Sequence, residues 1–332
     1  MASYIDIHGN NIPIVSSDPS NPITGEIWYN TTSGSLKGRL FLTAAFSTSG
    51  DVPQTVQGGG GGGTKTAGWI AGGLQYPGDT KNKAWTYDGS TWTAANNIPN
   101  NYFIGGSTGP DSAGLLFDGI GSYGPGTATY EWDGTNWASG GALPAIGPGG
   151  NSYTSGAGTQ TAALCIGGIG DPPPAKVDRV IDYNGASWTS GTNTPLTTAG
   201  TAADGPETAA WIAGGDGGPG MSGKSFEFNG ASWTASGNLN AACPQGVSGN
   251  GWGSITDAIM AGGASPTTSS QTYDGTSWAN GASMSTARAQ SSMCSAMTGS
   301  SNGFIAGASP PIHDETEDYQ APGPATVSIT AS

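Results

Sequence analysis

Positive charge is scarce in this chain. Its 332 residues hold 9 Lys and Arg against 23 Asp and Glu, a formal net charge of −14. No basic run or stripe occurs, so nucleic acid and anionic membrane surfaces, which need compensating cations, are not expected as partners. The acidic excess favours solubility. Histidine is scarcer still: His8 and His313 are the only two. Neither sits in a recognisable triad or metal motif, so no catalytic residue, metal ligand or cofactor is assigned. Cys165, Cys243 and Cys294 are too few and too scattered for a disulfide framework, and no Cys-x-x-Cys occurs. No run of about 18 apolar residues reaches bilayer length. No stretch has the charged, apolar and small-residue regions of a secretory signal.

What is abundant is glycine. The hydrophobic fraction is 35%, and 59 Gly bring the total to an ordinary globular level, with much of the apolar supply small. Eleven Trp, eleven Tyr and seven Phe recur at regular places, which argues against disorder.

One unit repeats: an aromatic residue, Asp or Asn, Gly, two further residues, then Trp. It reads Tyr87-Asp88-Gly89-Ser90-Thr91-Trp92 and returns at Trp132–Trp137, Tyr183–Trp188, Phe228–Trp233 and Tyr273–Trp278. Successive tryptophans are 45, 51, 45 and 45 residues apart. A short apolar run ending in paired glycines precedes each copy, as in Trp69-Ile70-Ala71-Gly72-Gly73 and Trp211-Ile212-Ala213-Gly214-Gly215. Leu115-Leu116-Phe117-Asp118-Gly119 and Phe304-Ile305-Ala306-Gly307 are weaker copies. Asp-Gly or Asn-Gly between β-type residues signals a type I′ hairpin with positive φ at both central positions. The aromatic run and the Trp run are then paired strands. The glycine-ended run is a third, and the stretch ahead of it, such as 151–160, a fourth. One four-stranded meander cannot bury its faces alone; several packed around an axis can.

Paired glycines, an aromatic residue and Trp at this spacing resemble kelch repeats over roughly residues 55–320. The Asn-Gly and Asp-Gly turns and the scarcity of charge depart from that pattern. The resemblance implies an all-β fold, a β-propeller of about six four-stranded kelch-like blades. Seven blades result if the terminal segments form a blade of their own. A β-solenoid is the alternative, although its rung is usually much shorter than this repeat. Residues 26–332 are assigned to the propeller and 1–25 to an extended N-terminal arm, with a disordered tail as the alternative. Tyr29-Asn30 echoes Tyr183-Asn184, so the hairpin at 26–42 is expected to pair with the last blade. Strands are expected at 316–319 and 325–332. The resemblance implies a ring closed by strands from both termini.

Several motifs invite chemistry. The run Gly58–Gly63 before Thr64-Lys65-Thr66 lacks the Gly-Lys-Ser/Thr order of a phosphate loop, and Lys65 aligns with Gln160 in a sister copy. It reads as a turn into a strand. Asp314, Glu315, Glu317 and Asp318 are candidate Ca²⁺ ligands, with a solvated loop as the commoner explanation. The repeated Trp residues are assigned to the space between blades. The connections between second and third strands, at 74–83, 121–126, 169–176, 216–224, 264–270 and 309–315, vary most. Variable loops on a repeat scaffold are where binding sits. Tyr76, Asp79, Tyr123, Asp171 and His313 are the candidate ligand-binding residues on that rim.

The stretch Asn21–Gly38, together with Gly-Thr-Gln-Thr-Ala-Ala-Leu at 158–164 and Asp-Gly-Thr-Ser-Trp at 274–278, is similar to virion structural proteins of tailed phages of marine cyanobacteria. That resemblance implies a non-enzymatic tail fibre, appendage or capsid decoration, located in the virion and assembled in host cytoplasm without a signal peptide. Expected partners are other virion proteins through the N-terminal arm, a host-surface glycan or protein, and further copies of the chain. A stand-alone glycan- or protein-binding module is the alternative.

Overall fold

Each motif copy folds as two antiparallel strands whose aromatic residues face each other. Tyr87 pairs with Trp92, Trp132 with Trp137, Tyr183 with Trp188, Phe228 with Trp233 and Tyr273 with Trp278. Their ring centroids lie 4.7–5.2 Å apart. Such cross-strand aromatic pairs are a unit of sheet stabilisation. The turn differs from the expected type. Only Gly89 has positive φ, at 97°, while Asp88 does not. Four residues form the loop, and Asp88 Oδ1 accepts the N–H groups of Ser90 and Thr91. Asp133, Asn184, Asn229 and Asp274 do the same in their copies. The side chain thus replaces the second left-handed residue that a two-residue turn needs.

The computed structural model describes residues 12–76, 81–119, 126–144, 151–170, 175–243, 251–263, 266–289, 291–293, 299–308 and 311–329. It divides into two compact units, residues 45–320 and the pair of segments 1–44 and 321–332.

In the larger unit the described residues form six four-stranded antiparallel sheets. Sheet one is Gly60–Thr64, Ala67–Ala71, Ala84–Tyr87 and Trp92–Ala95. Sheet two is Gly106–Thr108, Leu115–Phe117, Thr129–Trp132 and Trp137–Ser139. Sheet three is Ser155–Thr159, Ala162–Ile166, Val180–Tyr183 and Trp188–Ser190. Sheet four is Ala202–Asp204, Trp211–Ala213, Ser225–Phe228 and Trp233–Ala235. Sheet five is Gly251–Ser254, Asp257–Ala261, Ser270–Tyr273 and Trp278–Asn280. Sheet six is Ser292–Met293, Phe304–Ala308 and His313–Gln320, with Ala45–Thr48 as its fourth strand. The first strands of sheets one to five lie side by side in chain order. That of sheet five lies against the turn Ser300–Asn302, and that of sheet six against Gly60–Thr64.

The core is distributed between sheets. Leu115, Phe117 and Leu143 pack with Ala163, Cys165, Ile181, Tyr183 and Trp188 across sheets two and three. Equivalent clusters join sheets one and two, three and four, and four and five. Some connections are more ordered than expected. Leu74–Tyr76, Ile169–Gly170 and Asp216–Gly217 start them as short strands paired to the chain entering each first strand.

The smaller unit corrects the expected closure. Residues 27–30 and 35–42 do not pair with the last blade. Ser35–Leu42 pairs with Gly323–Ser328, and Ile14–Val15 adds a parallel strand beside Ile27–Asn30. The two compact units divide after Ala44. The likeness of Tyr29-Asn30 to Tyr183-Asn184 is one of turn geometry: Asn30 Oδ1 accepts from Thr32 and Ser33 as Asn184 does from Ala186 and Ser187. Sheet six is completed by Ala45–Thr48 instead, where Phe46 faces Tyr319 at 5.1 Å and takes the place of the missing Trp. Part of the expected arm is built into the small sheet. Asp18 accepts from Trp28 Nε1 at 2.9 Å and Asn30 Nδ2 at 2.7 Å, and pairs with Lys37 at 2.9 Å. These donors, Lys37 foremost, hold its carboxyl down at about 2.

Candidate functional site

Of the five rim residues singled out from sequence, Tyr76 and His313 fall among the described residues. Asp79, Tyr123 and Asp171 lie outside the described residues. Tyr76 ends a short strand paired with Thr55. His313 opens the third strand of sheet six, its Nδ1 3.1 Å from Glu315 Oε2. The acidic run is a strand rather than a loop, so its carboxylates alternate faces. Glu317 is fully buried against Arg288, 3.0 Å away, and also accepts the N–H groups of Ser285 and Thr286. Asp318 accepts from Tyr87. No group of three or more His, Cys, Asp and Glu among the described residues is arranged to hold a metal ion.

A different pattern emerges where consecutive sheets meet. In three sheets the residue before the third-strand aromatic accepts a hydrogen bond from the next sheet. Tyr183 of sheet three donates to Glu131 of sheet two at 2.5 Å. Tyr273 of sheet five donates to Glu227 of sheet four at 2.5 Å. Tyr87 of sheet one donates to Asp318 of sheet six at 3.1 Å. Burial first, and the adjacent carboxylate as well, pushes each phenol up to about 12. The fourth-strand Trp adds a bond beside each: Trp188 Nε1 to Thr129, Trp278 Nε1 to Ser225 and Trp92 Nε1 to Thr316, all 2.9–3.0 Å.

The seam between sheets three and four breaks this pattern. The carboxylate is present, as Asp182, but the residue that would donate to it is Phe228. The turn after the next first strand carries Lys65 beside Asp318 and Gln160 beside Trp132, where it is bonded to Trp132 O at 2.8 Å. Here that turn carries Glu207. Asp182 and Glu207 therefore line one cavity of about 350 Å³, together with Ser190, Thr192, Thr208 and Phe228. Neither carboxylate has a hydrogen bond within the described residues. Burial raises the pKa of both, and the charge of Asp182 raises that of Glu207 further. The wall holds hydroxyls, two carboxylates and one aromatic ring, with no Lys, Arg, His or Cys. That chemistry accepts hydrogen bonds and attracts cationic or hydroxyl-rich groups. The sequence motif began at the aromatic residue and so missed this position. Aligning the preceding residue across copies gives Thr86, Glu131, Asp182, Glu227, Thr272 and Asp318, which would have found it.

No protein-family model and no curated protein matches the chain. Among solved structures, one described as "Structure of YjhT" is similar, with a TM-score of 0.61 at 14% sequence identity, covering 81% of this chain and 95% of that one. At that identity the likeness concerns the fold: an all-β architecture of four-stranded antiparallel sheets, compatible with a propeller.

Proposed function

We propose that the chain is a non-enzymatic structural protein of a phage-type virion, a closed six-bladed propeller carried by its small terminal sheet. Ring closure is supported by the neighbouring of sheets six and one, where Lys65 N–H reaches Asn302 O at 2.7 Å. It is also supported by the fourth strand that Ala45–Thr48 gives to sheet six. The observation carrying the display role is where exposed apolar surface falls. Every exposed large hydrophobic among the described residues belongs to the small unit: Ile14, Ile23, Ile27, Tyr29, Leu40, Phe41 and Ile329. Ile27, Tyr29 and Leu40 share one sheet face, since they alternate with Trp28 and Asn30 or sit two residues from the partner of Ile27. An apolar sheet face of this kind marks a protein contact, and the occupant assigned to it is another protein of the particle. The sequence resemblance supplies the context. The test is a cryo-EM map of the native assembly, with Ile27→Asp/Leu40→Asp as the perturbation. The variant should fold but be lost from particles; incorporation at the wild-type level would overturn the reading.

The cavity at Asp182 and Glu207 favours a second reading, a stand-alone binding module for a hydroxyl-rich ligand such as a glycan. Glycan-array binding that is lost in Asp182→Asn, by protein that never enters particles, would favour that module.

A further inference from the structure

At the end of each second strand the backbone turns through the left-handed region. The residues there are Gly72, Gly167, Gly214, Gly262 and Gly307 in five sheets, with φ between 61° and 79°. In sheet two the residue is Asp118, with φ 65°. Its N–H bonds to Ala128 O at 2.8 Å, as that of Gly167 bonds to Arg179 O and that of Gly214 to Lys224 O. Asp118 thus occupies a glycine's place in an otherwise repeated device. At the five glycines an added Cβ would stand 2.3–3.0 Å from the neighbouring segment. Sheet two alone leaves room for a side chain, and Asp is one of the few residues that visit this conformation.

The side chain pointing into that room is 3% exposed, and neither carboxylate oxygen has a hydrogen-bond partner among the described residues. The Thr154 hydroxyl beside it is fully buried; it and the Gly119 N–H come close enough to favour the ionised carboxyl, yet neither contact reaches hydrogen-bond geometry. The other polar groups facing Asp118 are committed or too weak to answer it. Tyr102 donates to Gly106 O at 2.8 Å. The Arg179 guanidinium acts from a distance and bonds to Pro144 O. The Cys165 thiol is held protonated, chiefly by burial and further by the Asp118 charge. Buried polar groups left without partners point to a bound water or ion. A water would answer the hydrogen bonds of a protonated carboxyl; a cation would answer those of the ionised form together with its charge, whose desolvation is the larger cost.

We propose that Asp118 and Thr154 are oxygen ligands of a buried site for a hard cation, Ca²⁺ or Na⁺, in the seam between sheets two and three. A carboxylate and a hydroxyl select hard cations over soft ones. A protonated thiol is not a competing ligand. With the site empty, burial forces the carboxyl up to about 8; a cation reverses that by favouring the ionised form.

The test uses the whole chain in chelator and sodium-free buffer, with thermal melting followed as CaCl₂ or NaCl is added. At about 100 times its dissociation constant the ligand should raise the wild-type midpoint by roughly 5 °C. Asp118→Asn and Asp118→Gly should lose the response, and Thr154→Val should weaken it. Asp118→Gly installs the residue used in the other five sheets, so it retains the fold. Tb³⁺ should luminesce through Tyr102, whose ring borders Gly119, and Asp118→Gly should abolish that emission. Whichever of the two salts acts identifies the cation. No response to either would mean that a water fills the site and would overturn the proposal. So would an equal response in Asp118→Gly, which would place the cation elsewhere.

Discussion

Replacing Asp118 by Asn removes an ionisable group but keeps its size and shape, and the effect on stability is calculable. The folded carboxyl titrates at about 8 against a reference of 3.8. Folding therefore retains a proton that the unfolded chain releases between these values. Stability from this group is complete below pH 3.8 and is lost as pH rises towards 8. At pH 7 the loss is (7 − 3.8) × 1.36, about 4 kcal/mol at most. Structural relaxation and solvent entry make the measured figure smaller. Asn carries no such penalty. In cation-free buffer Asp118→Asn should match wild type within about 1 kcal/mol at pH 4 and exceed it by roughly 2–4 kcal/mol at pH 7. Urea titrations of both proteins at pH 4, 5.5, 7 and 8.5 measure the difference directly. The other carboxylates titrate alike in both proteins, so their contributions cancel. A difference that stays flat with pH, or an Asn variant that is weaker at pH 7, would falsify the account of Asp118 as an uncompensated buried acid.

Other outcomes follow from the seams. Phe228→Tyr places a phenol opposite Asp182, as in three other seams; stability should rise by about 1 kcal/mol, with Asp182 titrating lower by NMR. Tyr183→Phe removes the donor to Glu131 and should cost about 1–3 kcal/mol in chemical denaturation. Tyr319→Phe should be neutral or slightly stabilising, because the buried Tyr319 hydroxyl has no partner among the described residues. Arg288→Met strands the buried Glu317 charge and should cost about 3–5 kcal/mol, most of it recovered in Arg288→Met/Glu317→Leu.

The repeat made much of the fold legible. The aromatic-to-Trp unit located both strands of each hairpin, and the glycine-ended runs located the second strands, because both motifs report backbone needs that are local. What escaped were relations between distant segments. Phe46 carries no trace of its partner Tyr319, so the hairpin at 26–42, with its familiar Tyr-Asn pair, drew the place in sheet six that Ala45–Thr48 takes. Asp118 was visible as a departure from paired glycine, yet only the backbone shows that it adopts glycine's conformation. The groove at Asp182 was hidden because its signal is a missing hydroxyl on the next sheet's Phe228, and absences show only when six copies are laid over one another.

The completion of sheet six by Ala45–Thr48 has a consequence for how the chain is made. These four residues are made some 270 positions before their partners, residues 317–320. Until then Phe46 has no ring to meet, and the first and last sheets have no seam. Forming so distant a contact is slow, because the loop entropy is lost before the contact repays it. Protein interrupted late in synthesis would carry five finished meanders and one open edge, a state prone to joining edges with other chains. Exchange of the 45–48 strand between two growing copies would satisfy both edges at once. Dimers accumulating at high expression, and dispersing on dilution and refolding, would be the trace of that exchange.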